Sequence, residues 1–361
     1  MTLETISYSQ FLGGAFRENA KAHNIPSFGS FELTPLCNLD CKMCYVHLSD
    51  PAVRARIMNG SRWISLMEQA VGQGMTTALL TGGEAMTHPD FWEIYMYLID
   101  NGVSLRLKTN GILLNSENIS RLADYPPYTV EISLYGCDSE SYVAVTGHDA
   151  FQTVADNIRA AADAGVQLRL MITPSSYMLP WVDGVMDYAK SLELPVQVND
   201  MFIEPNPETG RRGEPFRYSM ETNQRIYLRS RELFPAAPRF KGNETERFGA
   251  AEPSPGFSPT GLTCNGGRTS FAITWDGVMR PCLPFPKELI YADPFEDGFA
   301  AAWKKINQAV RNYKLPDQCA ACAYHDRCFY CPVMHGQYAP ACDPEVCAWR
   351  MWQADSRSSR Q

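Results

Sequence analysis

Residues 31–45 read FELTPLCNLDCKMCY. A short apolar run, FELT at 31–34, leads directly into Cys37, Cys41 and Cys44, so three thiols with C-x3-C-x2-C spacing share one loop. Three thiolates on one loop can hold three irons of a four-iron cubane and leave the fourth iron open to a ligand, where a fourth cysteine would close it. Zinc is the competing reading. Structural zinc sites take four ligands, and His47, three residues past Cys44, would complete a Cys3His set.

Outward from that loop the chain alternates. Apolar, β-branched-rich runs recur at 76–80, 103–108, 128–134, 166–172 and 195–202, each reading as a strand. Helical periodicity fills the gaps. Trp63, Leu66, Met67, Ala70 and Val71 follow i, i+3, i+4 spacing behind Ser61, an N-cap residue type. A second helix runs from Pro89 to the Asn101-Gly102 stop, with proline in front and glycine behind. A third carries Phe151, Val154, Ile158, Ala161 and Ala162 and ends at Gly165. Strands alternating with helices predict an α/β fold with a parallel sheet and right-handed crossovers. Six such units suit a partial barrel or an open doubly wound sheet, and either architecture puts function at the C-terminal strand ends.

The pattern breaks after about residue 205. Segment 204–216 is rich in proline, glycine and charge, a helix-like stretch follows at 221–233, and 251–261 reads as linker. From 264 onward the chain is cysteine-rich with little regular pattern. The expected organisation is an N-terminal extension over 1–30, a barrel over 31–235, a linker over 236–263 and a cysteine-rich domain over 264–361.

Composition narrows the class. The 361 residues are 45% hydrophobic and 20% charged, an ordinary globular balance. Residues 1–10, MTLETISYSQ, lack the basic start and apolar core of a signal peptide, and no apolar run reaches the ~20 residues of a membrane span. A cytoplasmic protein is expected. The net charge of -8 argues against a nucleic-acid partner. Twelve cysteines in such a chain point to metal rather than disulfides, because the cytosol keeps thiols reduced.

The Cys37, Cys41, Cys44 loop with Tyr45 behind it, placed after the first strand, resembles the signature of radical S-adenosylmethionine enzymes. Three further positions agree with the resemblance: Gly82-Gly83-Glu84 at the end of the second strand, Thr109-Asn110-Gly111 at the end of the third, and Ser133 at the end of the fourth. The resemblance spans residues 31–205. It implies a partial (β/α)6 TIM-like barrel, and a [4Fe–4S] cluster whose open iron binds S-adenosylmethionine. One electron then cleaves the sulfonium to a 5′-deoxyadenosyl radical. It further implies that Gly82, Gly83 and Glu84 meet the amino group of S-adenosylmethionine, that Ser133 lies near its ribose and Arg169 near its carboxylate, and that Asn110, the backbone of Tyr45 and apolar residues around Val198 contribute to the same pocket.

The C-terminal cysteines run Cys264, Cys282, then Cys319-x2-Cys322-x5-Cys328-x2-Cys331, then Cys342 and Cys347. Pairs two residues apart have metal-ligand spacing, and zinc ribbons use the same spacing. The arrangement resembles the SPASM domain, an auxiliary iron–sulfur module of peptide-modifying radical enzymes, with two residues between Cys328 and Cys331 where the usual pattern has three. The resemblance implies a nearer cluster on Cys264, Cys282 and Cys331 and an outer one on Cys319, Cys322, Cys328 and Cys347, making three [4Fe–4S] clusters in all. Cys342 is the first candidate for a fourth ligand to the nearer cluster. Cys137, after the fourth strand, and Cys342 are also candidate hydrogen-atom donors. Asp138 and Tyr142 are weighed as an acid or base, and Arg211-Arg212 as a patch steering an acidic peptide; ordinary structural roles compete for each.

The resulting expectation is a peptide-modifying enzyme that installs a thioether, a carbon–carbon cross-link or an epimerised residue, supplied with electrons by a flavodoxin or ferredoxin. Only 36 residues precede Cys37, fewer than a winged-helix leader-binding domain needs, so the leader is expected to bind a separate protein or the catalytic domain itself, unless the substrate is not a ribosomal peptide. The alternatives are a radical enzyme acting on an aminoglycoside or tetrapyrrole, and a non-catalytic metal-binding module.

Overall fold

The computed structural model describes residues 15–48, 50–199, 218–235, 261–324, 328, 330–336 and 340–358. Segment 204–216, Arg211-Arg212 and nearly all of the expected linker lie outside these.

Six parallel strands appear where the apolar runs predicted them: β1 (Phe28–Glu32), β2 (Thr77–Thr81), β3 (Ser104–Thr109), β4 (Thr129–Ser133), β5 (Leu168–Ile172) and β6 (Val196–Val198). The first begins three residues earlier than its apolar run, because Phe28 and Gly29 already pair with Thr77 and Ala78. Between and behind them lie α1 (Ala15–His23), α2 (Gly60–Gly72), α3 (Phe91–Asp100), α4 (Ser116–Asp124), α5 (Ser139–Thr146), α6 (Phe151–Asp163) and α7 (Val182–Ser191). The cap of α2 is Asn59 rather than Ser61: its Oδ1 accepts the Arg62 N–H at 3.1 Å and the Ser61 hydroxyl at 3.0 Å. An asparagine one residue outside the helix reaches the orphan donors better than a serine already inside it.

The helix predicted near 221–233 is α8 (Met220–Leu233). Beyond it come β7 (Ser270–Ile273), β8 (Met279–Arg280), α9 (Phe299–Arg311) and α10 (Pro344–Ser358). The strand order is β6-β5-β4-β3-β2-β1-β7-β8. Thus β7 pairs in parallel with β1, Phe28 opposite Ser270, and extends the barrel sheet instead of forming a separate sheet.

Alternation along the strands divides the sheet into two faces. Phe31, Leu80, Leu107, Val130, Ile132, Leu170 and Phe271 turn outward into one core with Trp63, Leu66, Ile94 and Ile158 of the helices. Phe31 meets Trp63 edge-on at 6.1 Å, and Phe271 meets Phe299 of α9 at 5.0 Å. Val198 packs on this same outer core. The other face, the lumen, is polar: Lys108, Glu131 and Arg169 stand in register on β3, β4 and β5.

Candidate functional site

Strand ends and the loop after β1 build the site together. Gly83 donates its N–H to the Thr34 carbonyl at 2.7 Å, and Glu84 donates to Leu36 at 2.9 Å, fastening the end of β2 to the start of the cysteine loop. A Cβ at Gly83 would lie 2.3 Å from the Leu36 oxygen, and one at Gly82 2.5 Å from the Thr34 oxygen. Only glycine permits this approach. The Glu84 carboxylate is buried. Its Oε2 accepts the Asn110 N–H at 2.8 Å and the Thr109 hydroxyl at 3.0 Å, and its Oε1 accepts from Met86. Burial raises this carboxyl to about 7, against the pull of those hydrogen bonds.

Asn110 extends the chain of contacts. Its amide donates to Asn38 Oδ1 at 2.6 Å and to the Cys37 sulfur at 3.6 Å. Backbone N–H groups of Leu39 and His47 donate to the sulfurs of Cys37 and Cys44, at 3.4 and 3.2 Å. Burial, before any other cause, pushes the Cys37 thiol up to about 12. N–H donors aimed at sulfur in a desolvated loop suit thiolates that hand their charge to a metal. His47 turns its Nδ1 toward Asp40 at 3.5 Å.

Two tyrosines border the thiols. Tyr135, which no sequence reading singled out, is desolvated beside Cys41, Cys44 and Cys37 and hydrogen-bonds Ser133. Tyr45 packs with Cys44 and Trp275, and burial, with the charges of Glu32, Cys44 and Cys282, raises its phenol. In the lumen, Glu131 binds the Arg106 guanidinium and has Lys108 Nζ 4.0 Å from its other oxygen. Arg169 stands opposite Glu131 in the register.

Cys137 is half-buried and lies against Gly184 of α7. Asp138 caps α5 in a reciprocal capping box with Ser141, which holds its carboxyl below the usual range. Tyr142 is wholly buried, and desolvation raises its phenol far above the range of an acid–base group.

The C-terminal cysteines form two groups. Cys264, Cys282 and Cys331 neighbour one another, and burial followed by the mutual proximity of the thiols raises Cys264 to about 11. Cys319, Cys322, Cys328 and Cys347 form the second. Cys342 lies with this outer group, its sulfur 3.5 Å from that of Cys319. The reason lies in the turn before α10. Tyr330 donates its hydroxyl to the Ala341 carbonyl at 3.0 Å, and His335 Nδ1 accepts the Asp343 N–H at 2.8 Å.

Comparison with known proteins agrees with this geometry. A model of the radical SAM superfamily matches residues 31–178, and a model of the SPASM iron–sulfur cluster-binding domain matches residues 264–323. The chain carries a radical SAM domain followed by a SPASM domain. It is an enzyme, and its two domains imply iron–sulfur clusters and binding of S-adenosylmethionine. The antilisterial bacteriocin subtilosin biosynthesis protein AlbA of Bacillus subtilis is 23% identical over 90% of this chain and 71% of its own length. The AdoMet-dependent heme synthase of Methanosarcina barkeri is 25% identical over 85% of this chain and 91% of its own. Streptococcus suis SuiB bound to its precursor peptide SuiA shares the fold at TM-score 0.64 and 18% identity, over 91% of this chain and 78% of SuiB. Among the described residues no helix is long and apolar enough to cross a membrane.

Proposed function

We propose that this radical SAM enzyme modifies a peptide after reductive cleavage of S-adenosylmethionine at a cluster held by Cys37, Cys41 and Cys44. One observation carries the reading: β7 pairs with β1, and Tyr45 and Cys44 pack in one cluster with Trp275, just past β7, so the first thiol loop and the start of the cysteine-rich module share one end of the barrel. The likeness to AlbA, a bacteriocin biosynthesis protein, and to the fold of SuiB, which binds a precursor peptide, supports a peptide substrate.

The residues present fit the cluster. Three thiols on one loop receive N–H donors at two of their sulfurs, and three thiolates leave one iron of a cubane open. When bound, S-adenosylmethionine and this cluster supply a 5′-deoxyadenosyl radical that abstracts hydrogen. The protein's own residues position the reactants. The N–H groups of Gly83 and Glu84 are committed to Thr34 and Leu36, and both Glu84 carboxylate oxygens are engaged. Backbone carbonyls of Gly82 and Gly83, and the second lone pair of Glu84 Oε1, which accepts only from Met86, are the acceptors offered to the ammonium of S-adenosylmethionine. Arg169, beside Glu131 in the lumen, receives the carboxylate, and Ser133 and Tyr45 line the nucleoside pocket. Asn110 steadies the loop through Cys37.

The two C-terminal thiol groups hold auxiliary clusters that carry electrons or bind substrate, the barrel spans 31–235 and the auxiliary module 264–361. A flavodoxin or ferredoxin supplies electrons, and a separate protein presents the leader. The test is anaerobic incubation with S-adenosylmethionine, dithionite and a small peptide encoded beside this chain. Loss of two hydrogens from the peptide reports a thioether or cross-link, and deuterium uptake from heavy water reports epimerisation. The heme synthase relative makes a tetrapyrrole the second substrate class; 5′-deoxyadenosine formation stimulated by a tetrapyrrole and by no peptide overturns the peptide reading.

A further inference from the structure

The outer group holds five thiols where a four-iron cluster takes four. Cys319, Cys322 and Cys328 are fixed by their close spacing in the chain. The remaining position has two occupants. Cys342 lies 3.5 Å from Cys319. Cys347 lies in the first turn of α10, where its N–H donates to the Asp343 carbonyl at 3.0 Å. The ligand atoms of Cys342, Cys347 and His335 all lie within 4.8 Å of one another, and Cys328 and Cys322 both neighbour Cys347 and Cys328 neighbours Cys342. Neither thiol is the remote one.

His335 does not compete for the metal. Its Nδ1 accepts the Asp343 N–H at 2.8 Å, which puts the ring proton of the neutral imidazole on Nε2. The nitrogen that already accepts from Asp343 is not free to ligate a metal, and the other carries the proton. The ring is fixed in that attitude by stacking on Tyr330, with centroids 4.6 Å apart.

We propose that Cys342 and Cys347 are interchangeable fourth ligands of the outer iron–sulfur cluster. The inference rests on the reading that Cys319, Cys322 and Cys328 hold that cluster. The exchange is a thiol substitution at one iron: one iron–sulfur bond forms as the other breaks, the proton of the incoming thiol passes to the departing sulfur, and no electron moves.

The test uses the full chain, reconstituted anaerobically, with iron and acid-labile sulfide counted in the parent, Cys342→Ala, Cys347→Ala and the double variant. Each single variant is expected to keep the parental iron and the parental electron paramagnetic resonance signal of the outer cluster, and the double variant to change that signal, either to that of a three-thiolate cluster with an open iron or to loss of the cluster. Either single variant changing the outer-cluster signal as the double does, or a double variant with the parental iron and signal, overturns the proposal. A parent lacking outer-cluster iron overturns the cluster reading beneath it, a separate failure visible before any variant is made. Because a variant can fail by misfolding, the parent holoprotein is also alkylated with iodoacetamide and sequenced by fragmentation. Label is expected on Cys342 in some molecules and on Cys347 in others; label confined to one of them sinks the exchange.

Discussion

Glu32 is 3% exposed in the barrel lumen, and burial raises its carboxyl to about 8 despite the nearby Arg280 guanidinium. Between the ordinary 4.5 and 8 the folded chain holds a proton that the unfolded chain has released. Stability therefore falls as pH rises through that window and is fullest below it. Denaturation of the metal-free protein across this range should show the fall, and Glu32→Gln should flatten it; parallel curves for the two proteins would count against the assignment. Gly83 supplies a steric case. With the Leu36 oxygen 2.3 Å from any Cβ, Gly83→Ala should cost about 1–3 kcal/mol in urea unfolding and reduce iron retention at the first loop; an unchanged midpoint would mean that the loop yields freely. The glycines, Asn110 and the loop cysteines were legible from sequence because they adjoin strand ends. Glu32 and Tyr135 were not, since a strand glutamate and a loop tyrosine acquire meaning only from the thiols and charges that folding sets beside them.

Helix α8 packs between the barrel and the helix that carries Cys347, held by two kinds of contact. Toward α7, Arg225 pairs with Asp183 and Arg229 with Asp187, both at 2.7 Å with side chains one-third to three-fifths exposed. Toward α10, Tyr227 meets Trp349 and Trp352 edge-on at 5.7 Å, and Trp349 is 1% exposed. Exposed ion pairs contribute up to about 1 kcal/mol each, whereas removing a buried Trp costs about 3–5 kcal/mol. Thermal melts should thus separate Arg225→Ala, barely shifted, from Trp349→Ala, strongly lowered; the reverse ranking would put the α8 anchor in the ion pairs. The strand–helix alternation made six strands legible. Strands β7 and β8 escaped because they are four and two residues long, too short for periodicity to register among the cysteines, although Asp276-Gly277 between them is a hairpin turn pair. Their pairing with β1 is a long-range contact that no local pattern announces.

Over the whole molecule, the sheet order sets the division of labour. Because β7 lies against β1, the cysteine-rich module begins beside the strand that feeds the first thiol loop, and Tyr45 packs with Cys44 and with Trp275 beyond β7. The two-module plan was visible in cysteine spacing alone. The grouping of Cys342 was not, because it depends on the turn that Tyr330 and His335 hold. In the proposed function the Cys37, Cys41, Cys44 loop holds the cluster at which S-adenosylmethionine is cleaved, independently of the auxiliary groups. The deciding experiment is 5′-deoxyadenosine formation under dithionite by the reconstituted parent and by Cys41→Ala, with iron counted in both. Product is expected from the parent, none from the variant, and a loss of about four irons that leaves the auxiliary clusters in place. Equal cleavage by the variant, or a parent that takes up zinc in place of iron and cleaves nothing, would contradict that function.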